Sequence, residues 1–255
     1  MIHILFFIES LSGGGAEKVL RDLVNAMDQT KFSVTVQTLY PEDAEKYLAP
    51  GIRYKYCYPA RSRSNDLRMR AEAALGLTYP LHIKGGYDVE AAYLECGSTK
   101  IMAGSTNQKA LKLAWVHTDL RNWANPDAFA AATKKYYVRY DFAVCVSESV
   151  RKSFEKLYGD TVQTATIYNT IDDSEILRKS TEALPLDVAK RKLTIATVGR
   201  LSAPKCFIRA LAVHKRLLED GFEHDLWIIG EGEERQKLEA YIQKNALEKS
   251  AKLLG

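Results

Sequence analysis

Three consecutive glycines, Gly13, Gly14 and Gly15, stand between the apolar run "IHILFFI" and an amphipathic stretch beginning at Ala16. A glycine cluster between a strand and a helix can hold an anion, because free backbone N–H groups and the positive end of the helix dipole converge there. Other side chains able to do chemistry follow later apolar runs. His117 follows "KLAWV", Ser147 and Glu148 open "SESVRKSFEKLYG", and Asn169 lies in "IYNTID". Arg200 and Lys205 occupy "VGRLSAPKCF", where arginine offers a forked grip on phosphate and lysine a point charge. Each also has a plainer reading. The glycines can simply tighten a bend, His117 can be a core histidine, Ser147 can be a helix cap, and the two cations can line a solvated loop.

The glycine spacing weakens one common nucleotide-loop reading and excludes another. Gly13 and Gly15 fit the first two positions of G-x-G-x-x-G, but Lys18 takes the third and Leu39 and Tyr40, not an acid, close the second strand. An NAD-dependent enzyme is therefore a weak reading. No G-K-[ST] follows either, so a Walker loop is excluded.

These residues need a scaffold that collects strand ends. The run 2–8 reads as a buried parallel strand, and Ala16, Val19, Leu20, Leu23, Val24 and Met27 form one helical stripe. With "FSVTVQTLY" at 32–40 they make a βαβ unit, whose crossover is right-handed. Further strands are expected over 87–95, 112–120, 140–149 and 164–172, which places the candidate residues at their ends, where α/β sheets bind ligands. Segment 59–84 is basic and has no clean strand, and 173–192 is polar and reads as a linker. Strands at 192–201 and 224–232, helices at 206–221 and 233–248 and a last short strand at "AKLLG" then begin a second α/β unit. The expected division is a first Rossmann-like domain over 1–175, a linker over 176–191 and a partial second domain over 192–255.

Composition is that of a soluble globular chain, 46% hydrophobic and 27% charged with a net charge of +4. So mild a charge without clustered aromatics disfavours nucleic acid. The apolar N-terminus is too short to span a bilayer and carries no basic n-region. Cys57, Cys96, Cys145 and Cys206 are scattered without zinc spacing, which predicts largely buried free thiols, a cytoplasmic setting and no metal site.

Six segments together, "ESLSGGGAEKVLRDLV", "WVHTDL", "VCVSESVRKSFEKLYG", "IYNTID", "VGRLSAPK" and "LWIIGEGEERQKLE", resemble glycosyltransferase family 4, the retaining nucleotide-sugar transferases of GT-B fold. The resemblance runs in order along essentially the whole chain. It implies two Rossmann-like domains facing across a cleft, the first serving the acceptor and the second the nucleotide-sugar donor, a UDP-sugar first among the options. Carried over by residue, it puts Gly13, Gly14 and Gly15 near the donor diphosphate and acceptor, and His117 on the donor sugar. Arg200 and Lys205 would clamp the diphosphate, with Ser147, Glu148 and Asn169 lining the cleft. The implied reaction needs no metal or cofactor, because fixed cations and helix N–H groups stabilise the leaving diphosphate.

The resemblance also implies a glycan or lipid-linked acceptor, cell-surface polysaccharide synthesis and a peripheral contact with the inner membrane face. Arg61, Arg63, Arg68 and Arg70 lie where the family holds variable acceptor loops, though a solvated surface loop is the favoured plain reading of them.

Three departures qualify these expectations. Cys206 stands where the family usually has glycine, and Thr170 where it has proline. The family's E-x7-E element has no counterpart before residue 255, so the donor domain is expected to be truncated and the chain's own activity impaired. Two rival readings stay open: a non-catalytic remnant that binds acceptor or partner, and a GT-B nucleotide-sugar epimerase.

Overall fold

The computed structural model describes residues 1–182 and 193–255, without the side chains of residues 44 and 45. It divides into two compact units, Met1–Ser180 and Thr181–Gly255.

The first unit holds a seven-stranded parallel sheet. Its strands are β1 (Ile2–Phe7), β2 (Phe32–Thr38), β3 (Arg53–Tyr56), β4 (Val89–Ala92), β5 (Leu111–Val116), β6 (Phe142–Cys145) and β7 (Gln163–Thr166). Their spatial order is β3-β2-β1-β4-β5-β6-β7. The chain therefore runs outward from β1 to one edge, then returns to β4 on the other side of β1. That reversal makes a topological switch point between β1 and β4, the place where open α/β sheets bind ligands beyond the carboxyl ends of their strands.

Alternation along the strands fills two cores, one on each face. Leu5, Phe7, Ala92, Val116 and Cys145 point to one, while Ile4, Phe6, Ala91, Trp115 and Val144 point to the other. Burial on both faces is why β1 reads as an unbroken apolar run. Helix α1 (Gly15–Ala26) covers the second face with Leu20 and Val24. The first face is covered by α3 (Thr78–His82), α4 (Gly97–Met102), α5 (Pro126–Tyr137) and α6 (Glu148–Tyr158). Full burial of a side chain such as Leu5 or Phe7 contributes roughly 1.5–3 kcal/mol.

Four sequence expectations are corrected. The strands end earlier than their apolar runs, because residues such as Tyr93 and His117 belong to the loops beyond the last ladder bonds. Strand β3 is an addition: a four-residue edge strand containing Arg53 and Lys55 carries too little apolar signal to read as one. The first half of the expected linker is a helix, α7 (Asp173–Ser180), whose N-terminus is held by Asp172 accepting the Glu175 N–H at 3.1 Å. Acidic residues open it, and Lys179 pairs with Glu175 at 2.8 Å one turn back. The part of the linker over 183–191 lies outside the described residues. Finally, only two thiols are buried, Cys57 and Cys145, whereas Cys96 and Cys206 are exposed at loop ends.

Between β3 and β4, α2 (Arg63–Ala74) is a helix made by its cap, Ser62 Oγ accepting from the Asn65 N–H at 3.2 Å. The second unit is a parallel three-stranded sheet in the order β10 (Ala251–Leu254), β9 (Asp225–Ile229), β8 (Thr194–Val198). Helices α8 (Phe207–Glu219) and α9 (Arg235–Lys244) pack on it through Leu211, Leu238 and Ile242. Edge strand β8 leaves Ile195 and Val198 exposed. Among the described residues no helix is long and apolar enough to cross a membrane.

Candidate active site

The glycine loop leaves β1 at the switch point. Buried Leu11 anchors it: Glu42 accepts the Leu11 N–H at 2.7 Å and the Ser12 hydroxyl at 2.7 Å, and Arg21 donates to the Leu11 carbonyl at 2.6 Å. Gly13 then turns with φ +87°, a conformation that favours glycine. Gly14 is the extended N-cap of α1, with no side chain capping the helix, and Gly15 is its first residue. All three are exposed, and a Cβ at Gly13 or Gly15 would meet nothing within 4 Å. Protein packing therefore does not demand the absence of side chains at these two positions. At Gly14 the Glu17 carboxylate folds back so closely that a Cβ would collide with it, so the open space lies at Gly13 and Gly15.

Facing it across the switch point is the end of β4. Tyr93 is buried, Glu95 is buried, and Cys96 has φ +68° and ψ −105°, strained for a residue with a Cβ. Gly97 opens α4 so closely against Glu9 that a Cβ would collide with that carboxylate. Burial raises the Glu9 pKa above the ordinary carboxylate value, and backbone N–H groups of Ser98 and Gly97 offset part of the rise. Partial burial, with Glu95 and Glu9 nearby, pushes the Cys96 thiol up to about 11, so it stays protonated and is no nucleophile at neutral pH.

His117 follows β5. Its ring packs on Tyr93 with centroids 4.9 Å apart, and its pKa is lowered mainly by burial, against opposing pulls from Glu95, the Tyr93 carbonyl and Glu17. The imidazole is therefore neutral at pH 7. Nε2 is buried and has no partner. With Tyr93 accepting the proton of the other nitrogen, Nε2 carries a lone pair for an incoming hydroxyl. Glu95 fixes the loop beneath it, one carboxylate oxygen accepting the N–H of His117 at 2.6 Å and of Thr118 at 2.7 Å. Asp119, paired with Arg121 at 2.7 Å and hydrogen-bonded to Ser153, ties the next turn to α6.

Gly13, Gly14, Gly15 and His117 thus lie beyond the carboxyl ends of strands of one sheet, with the Glu17 charge of the glycine helix felt at the imidazole. Glu9 and Glu95 join them. Sequence reasoning missed both, although a carboxylate directly after an apolar strand, as in "YLEC", was the available signal. Ser147 and Glu148 stand further along the same sheet edge, after β6. Ser147 caps α6 by accepting from the Val150 N–H at 3.2 Å, and Glu148 pairs with Arg151 at 2.7 Å on the surface. Asn169 is exposed beyond β7.

In the second unit Arg200 and Lys205 lie on the loop between β8 and α8. No described residue pairs with either side chain. The loop is shaped from below, since a Cβ at Gly230 would overlap the Gly199 carbonyl and one at Gly232 the Leu201 carbonyl. Cys206 follows Lys205 in the left-handed region, φ +54° and ψ +34°. The described residues hold no cluster of three His, Cys, Asp or Glu side chains disposed around a common point.

Two parallel α/β sheets, the first with a glycine loop at its switch point and a neutral histidine after β5, are the architecture of the GT-B glycosyltransferases. Residues 13–175 match the sequence profile of Glycosyltransferase Family 4, and the chain belongs to that family. No curated protein matches it. Among solved structures it is similar to HepE of Anabaena, in complex with UDP and glucose, at TM-score 0.69 and 18% identity, covering 100% of this chain and 69% of that one. Sucrose-phosphate synthase of Thermosynechococcus elongatus gives TM-score 0.72 at 15% identity, over 100% and 70% of the two chains. TarM of S. aureus gives 0.66 at 10% identity, over 99% and 77%.

Proposed function

We propose that this glycosyltransferase takes a UDP-sugar as donor and transfers the sugar, with retention, to a glycan or lipid-linked acceptor. The carrying observation is the unpartnered Nε2 of a neutral His117 beside an uncapped glycine loop. A neutral imidazole accepts from a sugar hydroxyl and adds no positive charge beside the forming oxocarbenium ion. The Arg200 and Lys205 cations of the second unit suit the charge that builds on the diphosphate as the bond from C1 to phosphate oxygen breaks, and the glycine N–H groups of the first unit suit an anion in their own right. In the retaining course the acceptor hydroxyl bonds to C1 on the face being vacated, and its proton passes to the departing diphosphate. Ser147, Glu148 and Asn169 would border the acceptor side. The first domain, to residue 175, would serve the acceptor and the domain from 192 the donor, joined through 176–191. UDP is chosen because HepE is solved with UDP and with UDP-glucose.

The acceptor reading rests on α2, where Arg63 and Arg70 are exposed beside Leu67. Such a surface suits a phosphate-bearing, lipid-linked acceptor met at the inner membrane face during cell-surface polysaccharide assembly.

A ligand-observed NMR titration against UDP, GDP and their sugars, with NAD as control, tests the donor assignment. Saturable UDP binding that Arg200→Ala with Lys205→Ala abolishes supports it. A folded chain that binds no nucleotide, or binds NAD instead, overturns it.

A further inference from the structure

The sheet edge opposite the glycine loop carries a second cationic feature. Helices α2 and α4 end there, as does α5 just before β6, and between them lies a pocket of about 310 Å³. Its cations are Lys100 on α4, Lys135 on α5 and Arg139 beyond the α5 end. The floor is small: Gly104 lies so near that a Cβ there would stand 3.3 Å from the Gly76 carbonyl. No acidic side chain lines the pocket.

The cations are uncompensated. No described residue forms an ion pair with Lys100, Lys135 or Arg139, as Glu72 does with Arg68 on α2 and Glu148 with Arg151 on α6. Helix dipoles account for Lys100 and Lys135, which occupy last turns. They do not account for Arg139, which lies past the helix, nor for the concavity the three share. Like charges lining one concave surface repel each other, and a multiply charged anion relieves that repulsion. Arginine and two lysines supply the forked and point-charge donors that phosphoryl oxygens take.

We infer that this pocket binds a phosphoryl group, at a site separate from the one that serves the donor. Tyr136 gives it one aromatic wall. Exposed Leu75, Leu77 and Val138 adjoin its lining residues in sequence. Phosphate on a soluble metabolite and phosphate on a lipid headgroup present the same chemistry to the cations.

The test uses the Arg200→Ala, Lys205→Ala chain, so that the second unit's cations contribute nothing, and inorganic pyrophosphate as the probe in calorimetry at low ionic strength. Saturable binding that weakens at least about tenfold with Lys100→Ala plus Arg139→Ala supports the pocket. Lys135→Glu, at an exposed position, is the second variant and should weaken binding likewise. Circular dichroism verifies that each variant is folded. Absence of saturable binding, or binding indifferent to both sets of changes, overturns the inference. Vesicles of phosphatidylglycerol and of phosphatidylcholine then identify the source. Binding to the former alone, reduced by the same variants, assigns a lipid phosphate, and pyrophosphate binding without vesicle binding assigns a soluble one.

Discussion

One oxygen of Glu95 accepts the backbone N–H of His117 at 2.6 Å and the N–H and hydroxyl of Thr118 at 2.7 and 3.1 Å. A buried carboxylate at the end of β4 thereby sets where the histidine after β5 stands. Glu95→Ala leaves two N–H groups without their acceptor and should cost about 2–3 kcal/mol of stability. Glu95→Gln keeps one acceptor oxygen and should cost less. The specific sign of positioning is a greater loss in kcat than in donor KM for Glu95→Gln, read with stability measured alongside by urea unfolding.

His117 should titrate below the ordinary histidine value, because burial disfavours its charged form. Its folded pKa lies below its unfolded one, so the unfolded chain binds the proton more readily as pH falls. Stability from this group is complete above the unfolded value near 6.5 and is lost progressively as pH drops beneath it. Two-dimensional NMR of the imidazole should show the neutral form throughout pH 7–8. Donor affinity that depends on His117 should likewise be flat there.

Cys206 holds a left-handed conformation at the entry to α8, φ +54°. A side chain there costs about 1 kcal/mol or more, which glycine avoids, while glycine's freer unfolded chain returns part of the gain. Cys206→Gly should stabilise the chain by roughly 0.5–1 kcal/mol, visible as a higher midpoint in urea. A lower midpoint would mean that the thiol makes a contact worth more than the strain.

Glu72 is one acid-sensitive point of the first unit. Burial pushes its pKa up, but hydrogen bonds from Tyr58, Arg68 and His82 outweigh that and bring it down to about 2. Because the folded pKa is depressed, its contribution is present above the unfolded value near 4.5 and disappears as pH falls from there towards about 2. The contribution amounts to about 3 kcal/mol. Glu72→Gln should flatten the pH dependence of unfolding across that interval.

Much of the fold was legible. The unbroken apolar run of β1 and the stripe of Leu20 and Val24 on α1 declare a parallel sheet covered on both faces, since double burial removes alternation. What escaped notice was set by short-range polar chemistry. Strand β3 is four residues of edge with Arg53 and Lys55, and α7 forms because Asp172 caps it. The glycine loop and His117 were visible as residue types after strands. Glu95 also follows a strand, but its role was not legible, because it depends on β4 and β5 lying side by side, with Ala92 opposite Ala114 in register. Periodicity carries no information about which strands are neighbours. Cys206 was legible only as a departure, and its positive φ gives that departure a physical meaning.

The division of labour between His117 and the cation pair is tested most directly by saturation-transfer NMR with UDP-glucose on wild type, His117→Ala and Arg200→Ala with Lys205→Ala. The expected result is loss of transfer to the glucose ring protons in His117→Ala while uridine signals persist, and loss of both in the cation variant. Glucose signals unchanged in a folded His117→Ala chain would contradict the assignment of that histidine to the donor sugar.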